Sequence, residues 1–313
     1  MADGEEVTVR PAHRLRAWLT TLVVALAAVP AHAALSVVAT TTDLKSLVEA
    51  VGGDRVAVTA LVPPTLDPHD FQPRPQDLAR LKSARLVVRV GLDHDLWLDR
   101  LLQQAGQRGL MRGGEGYVDA SFGITLLEVR GAQVGPTGGG HAHGAGNPHY
   151  WLDPANAEMI TGTVFEALVR LDPANAKHYE QRRNRFLDDL QRRIANWQQA
   201  LEPLRGAPLI AYHTTWAYLA RRFRLNIAAY IEPRPGIPPS PAHLADVLRI
   251  AREQKALAVL RQPHESEKNA AFVATRSGAR LVLVAASVGA VPQAADYFSL
   301  FDYNVATLAA LAH

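Results

Sequence analysis

DPANAKHYEQRRNRFLDDLQRRIANWQQAL, Asp172 to Leu201, decides the fold. Asp172 followed by Pro173 places an N-cap residue ahead of a proline at the first helical position, a strong start signal. Beyond it Leu187, Leu190, Ile194, Trp197 and Leu201 recur at steps of three and four, while Arg182, Arg183, Asp189, Arg192 and Arg193 mark a charged face. The pattern predicts one helix running to about Leu201, where Pro203 stops it. About 28 residues at 1.5 Å rise give a rod of roughly 40 Å, long for a globular helix. Such a rod reads as a spine between two lobes.

Upstream, Asp153-Pro154-Ala155-Asn156-Ala157 repeats the same start signal. Either side of this helical centre, short apolar runs alternate with short amphipathic helices. LSVVATTT from Leu35, RVAVTALV (Arg55–Val62) and ARLVVRVG (Ala84–Gly91) read as strands of the first half. DLKSLVEAVGG from Asp43 reads as a helix stopped by Gly52 and Gly53. PLIAYHTTWAYLARRF and ALAVLRQPHESEKNAAFVATRSG each read as strand then helix, and ARLVLVAAS as a further strand. Strands alternating with helices predict α/β layers with parallel pairing. The expected organisation is an export segment (1–33), an N-terminal α/β lobe (34–172), a linking helix (173–202) and a C-terminal α/β lobe (203–313).

Composition narrows the function classes. The 313 residues carry 33 Lys+Arg against 30 Asp+Glu, a formal net charge of +3 spread along the chain, so the sequence pI of about 9.3 is no nucleic-acid signal. No cysteine is present, which excludes thiolate zinc fingers, iron–sulfur clusters, cysteine nucleophiles and a lipid-modified cysteine anchor. At the start, Arg10, Arg14 and Arg16 precede the apolar run Ala17–Val29, then Pro30 and the triplet Ala31-His32-Ala33. A positive region, a short apolar region and an A-x-A site form a cleavable export signal. Cleavage after Ala33 leaves about 280 residues, destined for the periplasm. GxSxG, Walker and HExxH patterns are absent, so ATP hydrolysis would belong to a partner.

Three of the 12 histidines fall at edges of expected elements. His69 lies in TLDPHDF after a strand, His149 in NPHYWLDP before a helix, and His213 in LIAYHTTW between strand and helix. Ligands of open α/β sheets bind beyond the carboxyl ends of strands. Imidazoles delivered there from distant segments suit a borderline transition metal such as zinc. His94, His178, His243 and His313 read as surface or capping residues.

These motifs carry a resemblance. TTTDLKSLVEAVGGDRVAV, LVPPTLDPHDFQPRPQDLARLKSARLVVRVG, NPHYWLDPANA, the DPANAKHYEQRRNRFLDDL helix, IAYHTTWAYLARRF and DYFSLFDYNVATLAAL are similar, in order and along nearly the whole chain, to the zinc/manganese solute-binding proteins of ABC importers. The resemblance implies two α/β lobes bridged by a rigid helix, with the metal in the cleft between them. It implies His69, His149 and His213 as ligands. A histidine rather than a glutamate at the third position corresponds, within the family, to the zinc-type arrangement, with Mn(II) as an alternative cargo. The implied protein is a monomeric periplasmic receptor that delivers its ion to an ABC importer permease, and is not an enzyme.

The chain departs from the family pattern at the fourth ligand. The aspartate that many relatives carry after the last long strand aligns near Ala286, and an acidic residue after the preceding strand aligns with Gln262. Glu265 is assigned to the fourth position, with water or His264 as alternatives and Glu232 or Asp67 behind them. A three-histidine site with an open position is also a zinc-enzyme arrangement, so a zinc hydrolase or lyase is the alternative function. GPTGGGHAHGAG (Gly135–Gly146) holds His141 and His143, a reduced form of the histidine-rich loop of zinc-type relatives, and reads as a weak pre-capture site or an inert insert. Tyr150, Trp151, Tyr212 and Trp216 are expected to wall the cleft, and Asp153 to cap its helix or to orient an imidazole.

Overall fold

A computed structural model describes residues 1, 2, 4, 33–68, 71–128 and 146–312. His69, His141, His143 and His313, and nearly all of the expected export segment, lie outside these residues. No helix among the described residues is long and apolar enough to cross a membrane.

Among the described residues the chain forms two four-stranded sheets in which every pairing is parallel. The first has the order β2-β1-β3-β4, from β1 (Leu35–Ala39), β2 (Val56–Ala60), β3 (Leu86–Arg89) and β4 (Tyr117–Asp119). The second repeats the topology as β6-β5-β7-β8, from β5 (Pro208–Ala211), β6 (Asn226–Tyr230), β7 (Ala258–Arg261) and β8 (Arg280–Leu283). Two of the edge strands escape the sequence reading: β4 has only three residues, and β6, Asn-Ile-Ala-Ala-Tyr, is weakly patterned.

Helices cover both faces of the first sheet, as parallel sheets require. α1 (Thr42–Gly52) and α4 (Asn156–Leu171) pack on one face, and α2 (Pro75–Ser83) and α3 (Trp97–Ala105) on the other. On the second sheet α7 (Pro241–Glu253) and α8 (Glu267–Ser277) cover one face through Val247, Val273 and Val259. The long helix exists as α5 (Ala176–Leu201), whose 26 residues span about 39 Å. It buries Tyr179, Phe186, Leu190, Trp197 and Leu201. The C-terminal helix α9 (Tyr297–Ala309) lies along it: Phe298 stacks on Phe186 at 4.8 Å, Phe301 on Trp197 at 5.0 Å, and the Trp197 indole donates to Asp302 at 2.8 Å. One apolar core runs continuously from Leu44 through Trp197 to Leu209 and Phe301.

Both Asp-Pro signals work one step away from the expected place. A 3-10 turn at Pro173–Asn175 precedes α5, and Asp172 instead accepts from the Tyr179 hydroxyl at 2.6 Å and from Asn175 at 2.8 Å. Asp153 accepts from the Ala155 N–H at 3.0 Å ahead of α4. Its buried carboxylate is gripped by both ends of the Arg222 guanidinium, at 2.5 and 3.0 Å, so its main role is an ion pair and not a helix cap.

Each strand order reverses direction between two central strands, β1 and β3 in one sheet, β5 and β7 in the other. Loops leaving such a pair diverge and open a crevice at the carboxyl edge. The four loops that matter follow these strands: the Thr40–Asp43 turn, the Gly91–Asp95 turn, the His213–Trp216 turn and the Gln262–Glu265 turn.

Candidate metal centre

His149 and His213 meet at this crevice. Their ring centroids are 5.5 Å apart with planes at 77°, and both residues are buried. Two imidazoles on one zinc ion at about 2.05 Å have centroids about 5.2 Å apart at a tetrahedral angle and at most about 6.4 Å apart. The observed separation falls inside that range.

Each ring is oriented from behind. Asn147 donates its amide nitrogen to Glu128 and to the Thr214 carbonyl, both at 2.9 Å, which fixes its oxygen as an acceptor. That oxygen takes the His149 backbone N–H and His149 Nδ1, each at 3.0 Å. Nδ1 therefore carries the proton. On the other side His213 Nδ1 bonds to a Glu232 carboxylate oxygen, and the second Glu232 oxygen accepts from the Gly236 N–H at 2.7 Å. With both Nδ1 atoms committed, Nε2 of each ring is the nitrogen that would meet an ion. Burial acts to lower the His213 pKa, but the hydrogen bond and charge of Glu232, with Glu265 and Asp67 adding to it, outweigh burial and hold it above the ordinary histidine value.

Around the two rings is a cavity of about 20 Å³, lined also by Asp67, Trp151, Gln262, His264 and Ser287. That is room for a single ion or water and for no organic solute. Among the described residues no three histidine, aspartate or glutamate side chains already converge on one point. The third expected ligand, His69, lies outside the described residues, whereas its neighbours Leu66, Asp67 and Pro68 line this cavity.

Glu265 stands behind the cavity wall. Its two carboxylate oxygens accept from the Gln262 backbone N–H at 2.6 Å and from Gln262 Nε2 at 3.0 Å. Burial pushes its pKa up to about 7. Gln262 also donates to Thr215 at 3.0 Å. Ala286 lines the cavity, and its carbonyl accepts from the Trp151 indole at 2.9 Å. Of the four aromatics expected to wall the cleft, Trp151 lines the cavity, while Tyr150 is buried with its hydroxyl on the Val90 carbonyl at 2.8 Å.

His94 is a correction. It is not a surface or capping residue: its buried ring packs edge-on against His149 at 5.9 Å and Trp151 at 5.7 Å. The turn that carries it is built by a buried arginine. Arg89 donates to the Asp95 carboxylate at 2.9 Å and its carbonyl at 3.0 Å, and the other Asp95 oxygen takes the Val90 N–H at 2.7 Å. Leu92 and Asp93 adopt positive φ of 52° and 65° there. Gly91 is required as well, since a Cβ on it would lie 2.3 Å from Asp119. Nothing in the periodicity of VGLDHDLW discloses this arrangement, although a Gly followed by alternating Asp and His is a fair turn signal.

Asp43 also escaped the sequence reading. It is fully buried at the start of α1, and its carboxylate accepts from the Val288 N–H at 2.9 Å, across 245 positions of chain. Burial pushes its pKa up to about 7, against neutral donors only: the Val288 N–H, its own N–H and the Ser287 hydroxyl.

Comparison with known proteins bears on the family and the fold. The family model for the periplasmic zinc-uptake complex component A matches residues 37–311. The iron-binding protein YfeA of Yersinia pestis is 28% identical over 285 residues, 87% of this chain and 85% of that protein. The high-affinity zinc uptake system protein ZnuA of Bacillus subtilis (strain 168) is 26% identical over 249 residues, 79% and 76% of the two chains. A crystal structure of ZnuA superposes with a TM-score of 0.76 at 28% identity, covering 90% of this chain and all of that one.

Proposed function

The chain belongs to the family of the periplasmic zinc-uptake complex component A, and from that premise we propose that it captures Zn(II) in the crevice and hands it to the membrane permease of an ABC importer. It is a receptor and not an enzyme; the metal is its cargo. Export behind a cleaved 1–33 signal, the monomeric state and the division into lobes 34–172 and 203–313 with a 173–202 linker belong to the same proposal.

The observation that carries the reading is the pair His149 and His213, 5.5 Å apart, each held by its Nδ1 and both lining a one-ion cavity. His69 completes the set in this reading. Neutral nitrogen donors favour zinc over the harder Mn(II). Metal must displace protons from these rings, so affinity falls with acidity.

Calorimetry on the mature protein after chelation tests this. The wild type is expected to bind one zinc ion, and His149→Ala, His213→Ala and His69→Ala each to weaken it by orders of magnitude. Wild-type affinity in two of the three variants would refute the assignment. Metal analysis of untagged protein from the periplasm then separates zinc from manganese and iron.

A further inference from the structure

We propose that a recess between the end of α5 and the helix α6 (Ala217–Phe223) is a binding site for a small soluble phosphate dianion, gripped by Arg221 and Arg224. The recess has a volume of about 390 Å³ and shares no lining residue with the metal crevice. The inference therefore stands apart from the zinc-receptor reading.

The argument begins with charge. Arg-Arg-Phe-Arg, residues 221 to 224, closes α6, and the Gly206 N–H donates to the Arg224 carbonyl at 2.8 Å, which brings Arg205 alongside. Two carboxylates stand against these four guanidiniums. Asp153, buried, takes Nε and Nη2 of Arg222 at 2.5 and 3.0 Å, and Glu202 takes Arg205 at 3.3 Å. Arg221 and Arg224 are left on the wall of the recess, exposed and, among the described residues, paired with no carboxylate. Two such charges on one recess repel each other, and a dianion between them turns that repulsion into attraction. Arg222 keeps Nη1 as a further donor, and Gln198 offers its amide from the α5 side.

The backbone holds these arginines in place. Arg224 caps the C-terminus of α6 in the left-handed conformation, φ 56° and ψ 35°, with its N–H on the Ala220 and Arg221 carbonyls. Glycine takes that position without steric cost, yet the chain carries a guanidinium there. Arg222 is anchored by Asp153. The planar fork of arginine matches two oxygens of a phosphate at once. A phosphate monoester or inorganic phosphate carries close to two charges at neutral pH, matching the two uncompensated guanidiniums, where a monocarboxylate brings one. The site is a recess and its rim carries the Glu202 carboxylate, so it suits a soluble anion that can enter and not the flat face of an anionic bilayer.

The test is calorimetric titration of the chelated, metal-free protein with inorganic phosphate, at about pH 8 and fixed ionic strength, with chloride as the control anion. The wild type is expected to show one saturable phosphate site. Arg221→Ala and Arg224→Gly should each weaken it about tenfold or more, the loss of a hydrogen bond to a charged group, and the double variant should show no site. Arg192→Ala, on the exposed side of α5 where Arg192 pairs with Asp189, should bind phosphate as the wild type does. Arg224→Gly also guards against a folding defect, because it relieves the left-handed backbone and should melt no lower than the wild type. Heat that never saturates, equal affinity in the wild type and the double variant, or an equal loss in Arg192→Ala overturns the assignment. So does capture by vesicles of phosphatidylglycerol in phosphatidylcholine without saturable phosphate binding, the behaviour of a general basic patch. No metal enters these titrations, so the zinc reading fails only by its own test, in His149→Ala and His213→Ala.

Discussion

Asp43→Asn should make this protein more stable in neutral and alkaline solution while leaving it unchanged in acid. The side chain is wholly buried, and its partner is a backbone N–H of the other half of the molecule, 2.9 Å away. Burial raises its pKa from 3.8 to about 7. A carboxyl group with a raised folded-state pKa binds a proton more tightly in the folded chain than in the unfolded one. Its contribution is therefore intact below about pH 4 and is lost as pH rises through about 7. A difference of about three units at 1.36 kcal/mol each amounts to about 4 kcal/mol. Asparagine mimics the protonated acid: its oxygen still accepts from Val288, and it never ionises. The gap between variant and wild type should be near zero at pH 4, about 2 kcal/mol near pH 5.5 and about 4 kcal/mol at pH 8. At about 2 °C per kcal/mol for a chain of this size, that is a rise of about 8 °C in Tm at pH 8. Calorimetric scans of chelated protein at pH 4, 5.5 and 8 supply the measurement. A gap that does not grow with pH, or a variant less stable than wild type at pH 8, refutes the reasoning.

The other expectations concern the braces of the site. Glu232→Gln removes the group that holds the His213 pKa up, so burial takes over and the pKa falls; the acid limb of the zinc affinity–pH curve should move to lower pH. The same variant should bind zinc about 10- to 100-fold more weakly at pH 7.5, and an unmoved acid limb would show that Glu232 does not govern the ring. Asn147→Ala removes the acceptor that fixes the His149 tautomer, so zinc competition should again show a loss of about 10- to 100-fold. Arg222→Ala strands the buried Asp153 carboxylate and should cost about 3 kcal/mol in urea unfolding, with Asp153→Asn in the same chain recovering much of it; no recovery would place the loss elsewhere. Deleting residues 138–144 should leave zinc affinity within about twofold if the His141/His143 loop is an inert insert, and lower it if the loop pre-captures metal.

What could be read from sequence follows the range of the interactions involved. The spine was legible because a helix writes its buried face at every third or fourth residue, and five such positions in Asp172–Leu201 are hard to mistake. Six of the eight strands among the described residues were legible as dense apolar runs, the central ones because a strand inside a parallel sheet is buried on both faces. Tyr117–Asp119 and Asn226–Tyr230 were not, because the first has only three residues and the second, Asn-Ile-Ala-Ala-Tyr, makes no dense apolar run. Within the site, His149 and His213 stood out through position at strand and helix ends. Their orienting partners did not. Asn147 reads as a turn residue before proline, Glu232 as the start of a proline-rich loop, and His94 as one polar residue in a turn. Each acquires its role only when a residue from another element arrives, Thr214 for Asn147, His213 for Glu232 and His149 for His94. Glu265 shows the converse: its chemistry suits a metal, but the sequence does not disclose the contact three residues back, in which both its oxygens accept from Gln262.

The same long-range contacts bear on how the receptor handles its ion. The walls of the crevice are joined across the two halves by bonds that bury in the core and surround the cavity. Asn147 bonds Thr214, Trp151 bonds Ala286, Asp43 bonds Val288, and the Tyr218 hydroxyl accepts from the Leu127 N–H at 3.1 Å while donating to the Asn147 carbonyl at 3.0 Å. The Tyr297 hydroxyl adds a bond to the Trp151 carbonyl at 2.6 Å. Opening the crevice by a hinge would break several of these together and expose their partners unpaired in an apolar core, at about 1–3 kcal/mol each. A receptor so tied cannot use wide closure to report that it is loaded. Selection must then lie in the preset spacing of the imidazoles, and the change that accompanies loading must fall on the parts outside the ties, which are the side chains at the lip.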